Sequence, residues 1–455
     1  MREIIILAAG KGTKMFPYDE VGSKVLRKAA GDSILGHMLA SLREFTQAPI
    51  HVVTLRQYYG SVARCCAAYN ATAVYGMDQS AGSAESLLEG FSHVGGEDAL
   101  VLYGDTWIDP ADLHLLWGQE GPSALVYPLG RERAADWICA SLSEGYISAI
   151  GAHHRGDRMT HRLAAYVLPA SFAQQLRMTP EYFPNMKVGE GAPREPYVEA
   201  ALSCGLADMP VACMEGTGAY FDVDKPWHLL QLNEYLVHRR CGQLTEHVLE
   251  EGSSISPLAS VNGFVHLGRN SYLGERVRVD GNLIVGDNTI IDNGAIFNGD
   301  AVVGSGTRIA NYCQIYDGCS IGDGCILEHA SELIGGMLQD RVYLYHFCEF
   351  FGMIGCCTDI GAGTLCGTLR FDDNETVQRT KGRIEPVCGG FGDAIYMGDY
   401  CRTGVGALLM PGSRIGSYSV VGAGVLAQGT LPHRTCVLQE QRQITKPWGE
   451  EKYGW

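Results

Sequence analysis

The feature that most restricts what this chain can fold into is a six-residue period in its C-terminal half. Aliphatic or aromatic residues recur without a break at Leu267, Leu273, Val279, Val285, Ile291, Phe297, Val303, Ile309, Ile315 and Ile321. Glycine follows at Gly268, Gly274, Gly286, Gly304 and Gly322, and the position four residues on is small, as in Ser271, Thr289, Ala295, Ala301, Thr307, Cys313, Cys319 and Cys325. This period fits short strands laid as the flat faces of a three-sided prism, with the aliphatic residue filling the interior and the small one fitting a tight corner. Each coil then takes about 18 residues. The period resumes at Ile354 and Ile360, and again at Met397, Thr403, Leu409, Ile415 and Val421. The two stretches between, Leu327 to Met353 and Leu365 to Tyr396, are expected to be loops on one face, where solenoids usually carry binding functions.

The period also accounts for much of the cysteine content. Of 16 cysteines, three lie in the small-residue register and Cys401 follows Met397 in the same way, so they read as reduced core fillers. Neither adjacent pair, Cys65-Cys66 or Cys356-Cys357, has zinc or redox spacing. With 455 residues and a formal charge of −16, the chain is long enough for two or three domains. Its charge disfavours nucleic acid or an anionic membrane as the main partner. No window reaches the length of a membrane span and the N-terminus lacks a signal-peptide pattern, so a cytoplasmic location is expected.

The first residues read as a buried strand, Ile4-Ile5-Ile6-Leu7, feeding the loop Ala8-Ala9-Gly10-Lys11-Gly12-Thr13-Lys14. Glycines let backbone N–H groups approach an anion closely, and lysines add charge where a triphosphate is densest. Further on come Lys24, then Gln79-Ser80-Ala81-Gly82-Ser83 opening a helix, and Leu100-Val101-Leu102-Tyr103-Gly104-Asp105 with a carboxylate at a strand end. Tyr220-Phe221-Asp222-Val223-Asp224 precedes a helical run expected from about Trp227 to Leu249. Ligands of open α/β sheets bind at such strand ends. Taken singly, Asp105 also fits a turn residue, Lys24 a solvated charge, and Asp224 a cap for the helix beginning near Pro226.

In this order the motifs resemble the sugar nucleotidyltransferases, most closely the bifunctional bacterial and archaeal N-acetylglucosamine-1-phosphate uridyltransferase type. The resemblance covers nearly the whole chain. It implies an α/β fold: a Rossmann-like nucleotidyltransferase domain over residues 1–228, a linker helix over 229–252, a left-handed parallel β-helix of hexapeptide repeats over 253–437, and a tail over 438–455. By the same resemblance Leu7, Ala8, Ala9, Gly10, Gly12, Thr13, Gln79, Gly82, Ser83, Tyr103 and Gly104 bind the nucleotide, Lys14 and Lys24 are catalytic, and Asp105 and Asp222 hold Mg2+. The implied substrates are a nucleoside triphosphate, UTP favoured, and a sugar-1-phosphate. Lys14 stands where the family has arginine, Ser23 where it has proline, and Gly151 to Leu163 does not reproduce the sugar-contacting segment.

A second site is implied in the β-helix. Glu332-Leu333-Ile334-Gly335, Tyr345-His346, Ile360-Gly361-Ala362-Gly363-Thr364 and Leu369-Arg370-Phe371-Asp372 resemble the family's acetyltransferase segment. His346 is then the base that takes the ammonium proton of an amino sugar, with acetyl-CoA as donor and a homotrimer as the working assembly. Tyr343, Glu349 and Thr368 depart from the pattern. Two other readings stay open: a β-helix that serves only in trimerisation or regulation, and a nucleotide-sensing protein without turnover.

Overall fold

In the computed structural model, which describes residues 2–76, 78, 82–96, 98–130, 134–153, 158–179, 196–387 and 389–449, the opening apolar run lies deep in a sheet. Glu3–Ala8 pairs in parallel with Ile50–Thr54 on one side and Asp98–Tyr103 on the other. Ile5 and Leu7 point into one core layer and Ile4 and Ile6 into another. A strand buried on both faces must be apolar throughout, which is why this segment shows no alternation. Among the described residues the sheet has nine strands, in the order Thr72–Tyr75, Ile50–Thr54, Glu3–Ala8, Asp98–Tyr103, His161–Pro169, Ser123–Pro128, Ala212–Glu215, Tyr146–Ala152 and Ile138–Ser143. Helices Ile34–Arg43, Tyr59–Ala68 and Pro110–Trp117 cover one face, and Ser83–Ser92, Phe172–Met178 and Val198–Gly205 cover the other.

The hexad residues build a β-helix. Leu267, Val285, Val303 and Ile321 pair in parallel, each one coil beyond the last. All ten residues of the unbroken run are buried in one core, together with Cys313, Cys319, Cys325 and Cys401. Thr289 and Thr307 turn their hydroxyls onto the carbonyls of Gly304 and Gly322, satisfying corner backbone that no ladder reaches. Asn270, Asn288, Asn293 and Asn311 hold corners with positive φ, a conformation asparagine tolerates better than most side chains.

Two expectations are corrected. The stretch Leu327 to Met353 is not a loop. Ile321 pairs with Leu338 and Leu338 with Ile354, so the coil runs on through shortened turns, with Leu327, Leu333, Leu344 and Phe350 inside. Deleting a corner residue shifts the period without opening the prism, because the parallel ladder depends on backbone pairing rather than on strict spacing. The second stretch does leave the coil: Leu365–Cys366 pair with Leu408–Leu409 and Gly352 with Ile395, leaving the residues between Cys366 and Ile395 as an insertion. The helix after Asp224 also stops early, at Cys241. Gly242 follows it, and Val248–Leu249 pair with His266–Leu267 as the first strand of the β-helix.

The nucleotide-loop domain is docked along the side of the β-helix. Met15, Tyr18, Ile34, Trp227, Leu230 and Val237 share one core with Val302, Met337, Met353 and Tyr396. Arg27 donates from two guanidinium nitrogens to Asp399, each at 2.7 Å, and both residues are buried. Tyr18 donates to the Met353 carbonyl at 2.6 Å. Gln339 and the Lys28 backbone exchange two hydrogen bonds, at 3.1 and 2.9 Å.

Candidate functional site

The glycine loop leaves the sheet at the C-terminal end of Glu3–Ala8, beside the end of Asp98–Tyr103. Gly104 donates its N–H to the Leu7 carbonyl at 2.9 Å, and a Cβ at Gly104 would come within 3.0 Å of the Ala8 Cβ. The two strands therefore end at the same height. A short antiparallel ribbon then brings the second carboxylate across: Tyr220–Asp222 pairs with Thr106–Ile108, with Asp222 opposite Thr106, and Val223 donates to the Asp105 carbonyl at 2.9 Å.

Carboxylate oxygens of Asp105, Asp222 and Asp224 all lie within 4.8 Å of one another. Two lysines meet them. Lys24, whose side chain is 8% exposed, reaches Asp105 at 2.5 Å and Asp224 at 3.6 Å, and Lys14 reaches Asp224 at 2.5 Å. Burial alone would lower the Lys24 ammonium, yet Asp105, Asp224 and Asp222 carry it well above the ordinary lysine range. Asp222 is pushed up to about 7, first by burial and then by Asp224 and Asp105. Asp224 moves the other way: burial opposes its charge, but Lys24 and Lys14 hold it well below the usual carboxylate range. The cluster thus carries more negative charge than its lysines offset, and its donors are all hard oxygens, which suits a divalent cation such as Mg2+.

A cavity of about 380 Å³ opens onto this cluster. Leu7, Ala9, Gly10, Gly12, Thr13, Lys14, Lys24, Gly82, Ser83, Tyr103, Asp105 and Asp222 all line it. Ala8 and Gly104 do not. Ala8 is core and Gly104 is the close approach beneath the loop, so both shape the site from behind. Gln79 lies outside the described residues. His346 is elsewhere, on an exposed β-helix corner with φ 49°, its ring stacked 4.5 Å from His329. It continues the column of left-handed corner residues that Asn293 and Asn311 begin.

Sequence reasoning missed several lining residues. Asp224 is not a helix cap: Lys225 holds that position, and the Asp224 carboxylate faces the lysines. Its signal was present, since two residues apart on an extended segment put Asp222 and Asp224 on one side. Glu199, from the helix Val198–Gly205, accepts hydrogen bonds from the hydroxyls of Tyr103 and, at 2.7 Å, Tyr166, and burial pushes its carboxyl up. Arg162 lies over the rings of Trp137 and Tyr220, at 4.9 and 5.2 Å, and those two rings line the cavity wall. No local pattern marks these residues, because they converge from four separate elements.

Comparison with known proteins agrees with this arrangement. A MobA-like NTP transferase domain matches residues 4–175, and the bacterial transferase hexapeptide (six repeats) matches residues 300–335. The bifunctional protein GlmU of Methanococcus vannielii is 24% identical over 98% of this chain and 99% of that protein. GlmU of Azotobacter vinelandii is 36% identical over 27% of this chain and 26% of its own length. Among solved structures, a UDP-glucose pyrophosphorylase complexed with UDP-glucose aligns with TM-score 0.45 at 15% identity, over 53% of this chain and 100% of that one. With an NTP transferase domain leading into hexapeptide repeats, and a likeness to GlmU along nearly its whole length, this chain is an enzyme that resembles the GlmU-type nucleotidyltransferases.

Proposed function

We propose that the chain transfers a nucleotidyl group from a nucleoside triphosphate, UTP favoured, to a sugar-1-phosphate resembling N-acetylglucosamine-1-phosphate, releasing pyrophosphate. The observation that carries this reading is the convergence of Asp105, Asp222 and Asp224 with Lys24 and Lys14 beside the glycine loop. A phosphate oxygen of the sugar phosphate forms a bond to the α-phosphorus, the bond from that phosphorus to the bridging oxygen breaks, and the electron pair leaves on pyrophosphate. The attacking oxygen is already ionised at neutral pH, so no general base is needed.

Asp105, Asp222 and Asp224 are the residues that would hold Mg2+, which when bound supplies charge neutralisation between two anionic reactants. Lys24 is placed to hold the sugar phosphate. Lys14 and the backbone N–H groups of Gly10 to Thr13 are placed to take charge building on the leaving pyrophosphate. Tyr103, Tyr197, Glu199, Trp137 and Tyr220 offer the rings and acceptors that a sugar's faces and hydroxyls require.

A second reading adds acetyl transfer from acetyl-CoA in the β-helix, with His346 as base. It rests on the motif resemblance around His346 and on its exposure beside Phe347, which is 70% exposed. Such an exposed apolar corner fits coverage by another copy in a homotrimer. No helix among the described residues is long and apolar enough to cross a membrane, and a cytoplasmic setting suits these substrates. The test is pyrophosphate release by the purified chain with Mg2+, across nucleoside triphosphates and sugar-1-phosphates, each with and without acetyl-CoA. One preferred pair names the substrates, and thiol release with an amino sugar establishes the second activity. Silence across the panel rejects the transferase reading in favour of nucleotide sensing without turnover.

A further inference from the structure

The insertion between Cys366 and Ile395 does not point away from the molecule. Within it, Arg379–Thr380 and Arg383–Ile384 pair as a hairpin whose turn residues, Lys381 and Gly382, have φ of 49° and 81°. Two successive positive φ values are what a tight two-residue hairpin demands, and they place Lys381 at its tip.

Three contacts hold this hairpin against the nucleotide-loop domain. Arg414, a buried residue of the β-helix coil, donates to the Arg379 carbonyl at 2.7 Å and to the Phe16 carbonyl at 3.0 Å, with its guanidinium over the Phe16 ring. Lys225, next in sequence to Asp224, pairs with Glu385 at 3.0 Å, each side chain 13% exposed. At the tip, Lys381 Nζ lies 3.4 Å from Thr13 Oγ1. Thr13 belongs to the glycine loop and lines the cavity, so the ammonium sits at the cavity's phosphate-loop rim.

The electrostatics of the site give this cation a task. Lys14 and Lys24 are each committed to carboxylates at 2.5 Å, whereas Lys381 forms no ion pair among the described residues. The chain as a whole is strongly negative, so a polyphosphate meets an unfavourable field unless cations are brought to it locally. We propose that Lys381 is a phosphate-binding residue of the nucleotidyl-transfer site, delivered in cis from the β-helix insertion to the β- and γ-phosphates of the triphosphate and to pyrophosphate. The inference rests on the nucleotidyl-transfer reading above. It makes the first domain's site incomplete without the second domain.

The test compares full-length wild type, Lys381→Met, which keeps the stem and removes the charge, and Lys381→Arg. Transfer kinetics are read with the fastest substrate pair, and pyrophosphate binding is measured separately by calorimetry. Loss of one partly exposed charge-assisted contact predicts about a tenfold rise in KM for the triphosphate and in Kd for pyrophosphate in Lys381→Met, with the sugar-1-phosphate KM and the melting temperature unchanged. Lys381→Arg restores both values, which a role confined to packing would not require. Equal triphosphate KM and pyrophosphate Kd in Lys381→Met and wild type overturn the assignment. A wild-type chain that transfers nothing overturns the underlying reading instead, and the pyrophosphate titrations then still decide whether Lys381 binds phosphate.

Discussion

At the scale of single residues, the site is three carboxylates held close by the fold and met by two lysines. Asp105 sits where a strand ends and its carboxylate faces Asp222 and Asp224. Asp105→Asn keeps the shape and removes one charge, so pyrophosphate release is expected to fall by about a hundredfold or more, while the β-helix stays assembled. Near-normal turnover by this variant, measured by pyrophosphate release, rejects the assignment. Glu199 presents a different case, because burial raises its carboxyl above the ordinary range while the Tyr103 and Tyr166 hydroxyls partly compensate. The folded state therefore binds this proton more tightly than the unfolded one. Its contribution is harmless below the unfolded value and costs stability as pH rises through the folded value. Glu199→Gln, which accepts from the same hydroxyls without charge, is expected to melt higher than wild type at pH 8 and to lose most of that advantage at pH 5.

At the scale of elements, the β-helix draws its stability from one column of fillers per face. Phe297 is fully buried within that stack. Phe297→Ala leaves a void that the coils above and below cannot close, since each is pinned by parallel ladders to its neighbours. Destabilisation of about 3–5 kcal/mol is expected by chemical denaturation. The shortened coils between Leu327 and Met353 illustrate the same constraint from the other side. They keep Leu333, Leu338, Leu344 and Phe350 inward by giving up residues at the corner that the continuous strands Glu332–Leu338 and Glu349–Ile354 replace, where Met337 and Met353 face the first domain.

At the scale of the whole molecule, the two halves are joined by a buried apolar seam and by the Arg27–Asp399 pair rather than by a tether. Asp399 is fully buried. Asp399→Ala leaves the Arg27 guanidinium buried without its counter-charge, at a cost of about 3–5 kcal/mol. Because the pair bridges both halves, the wild-type chain is expected to unfold in one calorimetric transition and the variant in two, the nucleotide-loop domain melting first. A single transition in the variant, shifted only slightly, rejects the pair as a coupling element.

The sequence by itself determined the elements whose cause is local or periodic. The hexad run specified the β-helix because every sixth side chain must fill one interior, and the all-apolar Ile4-Ile5-Ile6-Leu7 specified a strand covered on both faces. The glycine loop after Glu3–Ala8 and the carboxylates Asp105 and Asp222, at the ends of Asp98–Tyr103 and Tyr220–Asp222, were legible as local patterns, and Lys14 and Lys24 through the resemblance of their order. The tertiary structure alone decided the rest. Asp224 shares its spacing with Asp222 in the sequence, but a two-strand ribbon pairing Tyr220–Asp222 with Thr106–Ile108 is what carries both to Asp105. Glu199 and Trp137 reached the cavity from separate elements, Arg162 packed against the rings of its wall, and the hairpin bearing Lys381 reached Thr13 across a seam between domains. Periodicity records what each segment needs from its own neighbours, whereas the placement of these groups depends on how buried apolar faces from distant segments find one another.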